Sequence, residues 1–317
     1  MNLGSLLAHG KKLSDDVRFA LVGTPHFAFC PDSLEADVYP VDFETSLAAG
    51  GYDPLDAQGI PVARYLRAAG QYNPTRVAGY ALAQFNRFRH QGSDQARDRF
   101  LANAQWFARQ DTGRFEYAFS LQGLTPPWVS AMAQGQGLSV LARAFRLTGE
   151  DRYLTTAFRA LEPFRQGLPE GGVRCSLEPG ADFLEEHPTP VPLHTLNGFL
   201  YAVIGILDLA ALYPEAAPPV GFEAILSSLA HLDRWSLPRW SLYDLHQAGG
   251  LRNVATVNYH RMHIAQLRYL AARLHDPALA DLAQTWEAGY RDPAARLGAL
   301  AGKIRYRAAH PAILARP

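Results

Sequence analysis

Three short blocks of this chain carry acid–base groups in an order that could move a proton. Glu185-Glu186-His187-Pro188 lies in a proline-rich stretch directly ahead of the apolar run TLNGFLYAVIGILDL. Tyr243 sits in SLYDL, and sixteen residues further on Tyr259 falls in NYHRMH. A carboxylate in a loop that opens into a cleft can take or return a proton held within hydrogen-bond reach. A phenol is a poor base at its ordinary pKa of about 10, so it needs a cation or buried hydrogen bonds. His260, Arg261 and His263 are the cationic candidates nearest Tyr259 along the chain. Each residue also has a plainer reading. Two acids before a helix favour its N-terminal dipole, and a lone tyrosine packs as an aromatic with a satisfied hydroxyl. His260 and His263 share a helical face but have no Cys or acid at ligand spacing, which favours satisfied histidines over a metal.

The elements that must hold these groups are helical. From Arg76 onward apolar residues recur at three and four positions, as in Val77, Tyr80, Ala81 and Phe85, then Phe100, Leu101, Ala104 and Phe107. Segments 131–147 and 153–164 flank Thr148-Gly149-Glu150-Asp151, a helix stop followed by a start. Segment 195–212 is expected to pair with 222–232 across PEAAPPVG, and 259–274 with 277–290 across His275-Asp276. About four helical hairpins therefore begin near 76, 128, 192 and 258. An αα unit cannot bury its amphipathic face alone; winding the pairs into a ring buries it and makes a cleft of inner helices and loops. The expected fold is mainly α, an α/α-barrel or toroid, with 131–144, 196–209 and 263–272 as inner helices. Residues 1–75, punctuated by GTPHF, CPDS, YPVDF, GGYDP and GIPVARY, read as an irregular segment with short strands. The expected division is 1–75 packed on a 76–317 barrel domain.

Composition removes other classes. The chain has 317 residues, with 30 acidic and 30 basic side chains, so no overall field favours nucleic acid or a membrane surface. Cys30 and Cys175 are too few and too isolated for a disulfide framework or a zinc site. The first twenty residues show no apolar signal core, and the longest apolar run, 199–213, is interrupted by Gly205 and Asp208. A cytoplasmic location is expected, with a homodimer left open. P-loop, GxGxxG, HExxH and GxSxG motifs are absent.

WVSAMAQGQ at 128–136, FLEEHPTPVPLHTLNGFLYAVIGILDL at 183–209, SLYDL at 241–245 and NYHRMHIAQL at 258–267 together resemble the C-terminal domain of the D-glucuronyl C5-epimerases. The resemblance spans roughly residues 39–290. It implies an α/α-barrel without the family's β-rich N-terminal domains. It also implies cofactor-independent, metal-free conversion of D-glucuronate to L-iduronate residues, here in a bacterial polysaccharide such as heparosan. Glu186 takes the place of the family's catalytic acid/base, and Tyr243 and Tyr259 match tyrosines lining the site. His187 stands where the family has a tyrosine implicated in the chemistry and joins Glu186, Tyr243 and Tyr259 in the expected catalytic set; His246 stands where the family has an arginine that holds the substrate carboxylate, and Arg252 is the nearest substitute. Asn197, Gln134, Trp128, Tyr72, Asn73, His260 and His263 complete the expected substrate-binding set. For Gln134 helix packing weighs equally with sugar binding, and Trp128 either stacks on a pyranose or anchors its helix. A uronate polysaccharide lyase, which shares the C5 proton abstraction, and a non-catalytic glycan-binding protein are the competing readings.

Overall fold

The computed structural model describes residues 3–35, 37–65, 68–121, 123–216 and 220–310. In chain order the elements are α1 (Leu3–Val22), α2 (Glu44–Ala48), β1 (Ala63–Tyr65), β2 (Ala68–Gln71), α3 (Pro74–Gln91) and α4 (Asp94–Ala108). Then come α5 (Ala131–Thr148), α6 (Asp151–Arg159), α7 (Glu162–Arg165), β3 (Arg174–Glu178), β4 (Ala181–Leu184), α8 (Leu196–Ala210) and α9 (Phe222–Ser227). The last are β5 (Ser236–Leu237), β6 (Trp240–Ala248), β7 (Leu251–Val254), α10 (Val257–Leu274), α11 (Pro277–Arg291) and α12 (Pro293–Ala309). The protein is mainly α and, among the described residues, has three small antiparallel sheets: β1–β2, β3–β4 and β5–β6–β7.

Local chemistry sets the helix ends. Asn73, Ser93, Asp276 and Asp292 accept hydrogen bonds from the first-turn amides of α3, α4, α11 and α12. Gly149 closes α5 in the left-handed conformation at φ 71°, and Asp151 restarts the chain as α6. The apolar faces then pack α3 on α4, α5 on α6 and α10 on α11. Three of the expected hairpins are therefore present.

The central helices contact one another in the order α3, α5, α8, α10. At the α5–α8 crossing the backbones touch: a methyl on Gly135 would run into Tyr201 O and Ala202 Cα, and one on Gly205 into Gly135 O. A buried polar link ties the same helices together. Arg143 of α5 pairs with Asp208 of α8 at 2.6 Å, and Tyr269 of α10 donates to the other Asp208 oxygen at 3.2 Å.

Three expectations need correction. Residues 3–22 are not irregular but form α1, which packs on α12 and α10. Arg296 of α12 donates to Ala20 O and Leu21 O, the terminal carbonyls that a helix leaves unpaired, and Arg307 pairs with Asp16 at 2.7 Å. The partner expected for α8 also differs. α9 is short and packs on β4 and the 3-10 segment Ser228–Trp235, while the main neighbours of α8 are α5 and α10. Strands after residue 75 were not expected either, yet β4 leads to Glu186 and β6 carries Tyr243.

Candidate active site

Glu186 follows β4, whose partner β3 and the start of α5 fix the loop. Glu185 N donates to Val173 O at 2.7 Å, and Glu185 O accepts from Ala131 N at 3.0 Å. The Glu186 carboxylate turns toward the first turn of α8, where Asn197 Nδ2 donates to Oε2 at 2.9 Å. Gly198 lets it come that close: a Cβ there would lie 2.9 Å from both Cγ and Oε2 of Glu186. The side chain is 13% exposed, so it is desolvated but reachable. Burial pushes its pKa up to about 8; the Asn197 hydrogen bond pulls down against this, and the charges of Glu185 and Asp244 add to the rise.

Tyr243 on β6 and Tyr259 in the first turn of α10 meet edge to face, with ring centroids 4.7 Å apart. The two phenols also act on each other electrostatically, Tyr259 adding to the rise of Tyr243 while Tyr243 pulls Tyr259 down. Burial, then the negative charge of Glu186, lifts Tyr259 to about 12 and Tyr243 well above the phenol range. One carboxylate and two phenols, drawn from a loop, a strand and a helix, therefore act on one another electrostatically.

The cations at this cluster come from α12. Lys303 Nζ stands 5.1 Å over the Tyr243 ring and donates to Asn253 Oδ1 at 2.6 Å. Asn253 in turn donates to Asp244 Oδ2 at 2.8 Å. Burial and the Arg307 charge lower the Lys303 pKa, while burial raises that of Asp244. Arg307 also acts on Tyr259, lowering its pKa. Sequence reasoning missed Lys303, since a single lysine in a helical stretch carries no local signal of its partners.

The histidines expected to supply charge cannot do so. His260 and His263 are wholly buried, share the Ser241 hydroxyl at 2.8 Å each, and His260 stacks on Trp240. Burial drives His260 down to about 3 and His263 well below its usual value, so both are neutral core groups rather than substrate ligands. Arg261 is spent on Thr24 O and the Tyr290 hydroxyl.

The remaining expected site residues, His187 of the catalytic set among them, fare unevenly. His187 is buried beside Glu186, its Nε2 3.7 Å from Oε1, and its ring lies 6.3 Å from that of Trp128. Asn197 is present, but its amide holds Glu186. Gln134 is a structural brace: its amide accepts from Phe115 N and donates to Gly113 O and Ala160 O, with zero exposure. Trp128 stacks face to face on Tyr117 at 4.0 Å and donates to Phe119 O, which makes it an anchor. Arg252 is exposed, donates to Arg234 O and Ser236 O, and lines one pocket with His246. His246 Nδ1 meets the Tyr306 hydroxyl at 2.6 Å. Tyr72 is 42% exposed and donates to Asp56, while Asn73 caps α3. Cys175, which looked isolated, lies beside Glu185 and His194.

A helical scaffold that gathers a carboxylate, paired phenols and buried cations fits proton-transfer catalysis. Residues 109–288, more than half of the chain, match the model of the family described as D-glucuronyl C5-epimerase C-terminus, and the chain belongs to that family. It is similar to the D-glucuronyl C5-epimerase of Caenorhabditis elegans, with 31% identity over 219 residues, 62% of this chain and 35% of that relative. It is also similar to an uncharacterized protein of Methanocaldococcus jannaschii, with 25% identity over 177 residues, 55% of this chain and 56% of that one. The chain thus spans about a third to just over half of the length of these relatives. Among the described residues no helix is long and apolar enough to cross a membrane.

Proposed function

We propose that this protein is a uronate C5-epimerase acting on glucuronate residues of a polysaccharide, with Glu186 and Tyr259 as the two proton carriers. In this reading the arc α3–α5–α8–α10 is the inner wall of an α/α-barrel, and the site opens at its rim. The Glu186 carboxylate takes the C5 proton from one face, and the freed electron pair spreads into the sugar carboxylate, giving a dianion. Tyr259 delivers its hydroxyl proton to the opposite face, which inverts C5. The Tyr243 hydroxyl, carried on the ring packed against Tyr259, donates to the resulting tyrosinate, and a proton returned through solvent resets both groups. Lys303 supplies the positive charge that offsets the dianion in a site where water is scarce.

The observation supporting this reading is the cluster of Glu186, held by Asn197, with the packed Tyr243 and Tyr259 rings, groups that act on one another electrostatically. The test is incubation with a heparosan-like polymer in D₂O. Deuterium at C5 without new absorbance from an unsaturated uronate is expected, and Glu186→Gln and Tyr259→Phe each abolish it. An unsaturated product would identify a lyase instead, and full exchange in both variants would remove the assigned carriers.

A further inference from the structure

Beside the proposed proton carriers lies a second cluster to which the reaction gives no role. Cys175 of β3, Glu185 after β4 and His194 ahead of α8 converge from three segments. Their donor atoms form a small triangle: His194 Nδ1 to Glu185 Oε1 is 3.0 Å, Cys175 Sγ to Oε1 is 3.6 Å, and Sγ to Nδ1 is 3.9 Å.

We propose that Cys175, Glu185 and His194 form a zinc-class metal site that pins the loop carrying Glu186. A triangle with those sides has a circumradius of about 2.1 Å, so one point reaches all three donors at bonding distance. An ion lifted slightly out of that plane, as a fourth tetrahedral ligand requires, meets N and O at about 2.0–2.2 Å and S at about 2.3 Å. The donor set is a thiolate, an imidazole and a carboxylate, which favours zinc over magnesium or calcium. Solvent takes the fourth position, since the His194 side chain is 17% exposed. On binding, the thiol proton leaves to solvent and sulfur donates its electron pair to the ion, with no change of oxidation state.

Two further features fit a built site. Glu185 is a carboxylate with zero exposure, and both its oxygens already face His194 through the backbone amide, at 2.9 and 3.2 Å. His194 holds φ 55° without being glycine, a conformation that persists only where the surroundings impose it. Trp235 Nε1 donating to His194 O at 2.8 Å helps to keep it there. The consequence is mechanical. An ion would join β3, the end of β4 and the approach to α8 at the residue next to Glu186, fixing that side chain against α8.

The inference stands apart from the epimerase reading, because its test reads metal and not turnover. The full chain, expressed in zinc-supplemented medium and freed of loosely held ions, is expected to retain about one zinc per molecule. Cobalt(II) substitution is expected to give a thiolate charge-transfer band that Cys175→Ser loses and His194→Gln weakens. Zinc chloride added to stripped protein is expected to raise the Tm of wild type and not that of Cys175→Ser. If a variant fails to fold, X-ray absorption at the metal edge of the wild type decides, with one sulfur among lighter scatterers expected. Absence of retained zinc together with absence of a cobalt–thiolate band overturns the proposal and leaves the cluster a hydrogen-bonded Cys–Glu–His contact.

Discussion

Gly198→Ala tests the placement of Glu186 without touching its charge. The added methyl would stand 2.9 Å from Cγ and Oε2 of Glu186, and closer still to its Cβ. Relaxed carbon contacts need about 3.5–4.0 Å, so the glutamate must retreat by roughly 1 Å. A displacement of that size at a reacting group costs about 100-fold in rate. Stability changes less, because overpacking costs about 1–3 kcal/mol while alanine recovers up to about 1 kcal/mol over glycine in a helix. The assay is the initial rate of deuterium entry at C5 of a glucuronate polymer, measured beside a thermal melt. The expected result is a folded protein whose exchange falls about two orders of magnitude, approaching Glu186→Gln. A folded Gly198→Ala enzyme with wild-type exchange would refute the idea that the carboxylate works from its seat on α8.

Further outcomes follow from the same contacts. Lys303→Met is expected to fold, with exchange lowered on the order of 100-fold because the buried positive charge beside Tyr243 is gone; unchanged exchange removes Lys303 from the chemistry. Gln134→Leu strands three buried backbone groups and is expected to cost about 3 kcal/mol or more in denaturant unfolding while leaving glycan affinity alone. Gly135→Ala forces α5 off α8 and is expected to lower Tm through about 1–3 kcal/mol of overpacking; an unchanged melt contradicts the observed crossing. His260, held down to about 3 by burial, stays neutral in the fold while the unfolded chain takes a proton below about 6.5. Its contribution is complete above pH 6.5 and is lost as pH falls toward 3, on the order of 5 kcal/mol at the limit. His260→Gln is therefore expected to flatten the acid limb of unfolding free energy against pH, and an unaltered limb speaks against it.

Much of the helical body was legible because burial writes a 3.6-residue period into sequence, as in α3, α5, α8 and α10. The acid and the two phenols stood out through the resemblance of their blocks to the epimerase family, and they do act on one another. What escaped depends on contacts distant along the chain. Gln134 looks like a sugar ligand until the carbonyls of Gly113 and Ala160 are seen to occupy its amide. His260 and His263 look cationic until Ser241 and Trp240 enclose them. The hairpin β6–β7 was readable in principle, since Gly249-Gly250 supplies the two positive φ angles of a tight turn. The Cys175 cluster was not, because its members lie ten and nine residues apart and only the β3–β4 hairpin folds them together.

Lys303 and Arg307 belong to α12, which begins after residue 288, where the family match stops. An expression fragment trimmed to the matched span would keep the glutamate and both phenols yet discard the ammonium and guanidinium beside them. It would also lose α1, whose Asp16 pairs with Arg307. Anyone cutting this chain for crystals or assays should keep 293–309, which packs against the proposed site, rather than treat it as a dispensable tail.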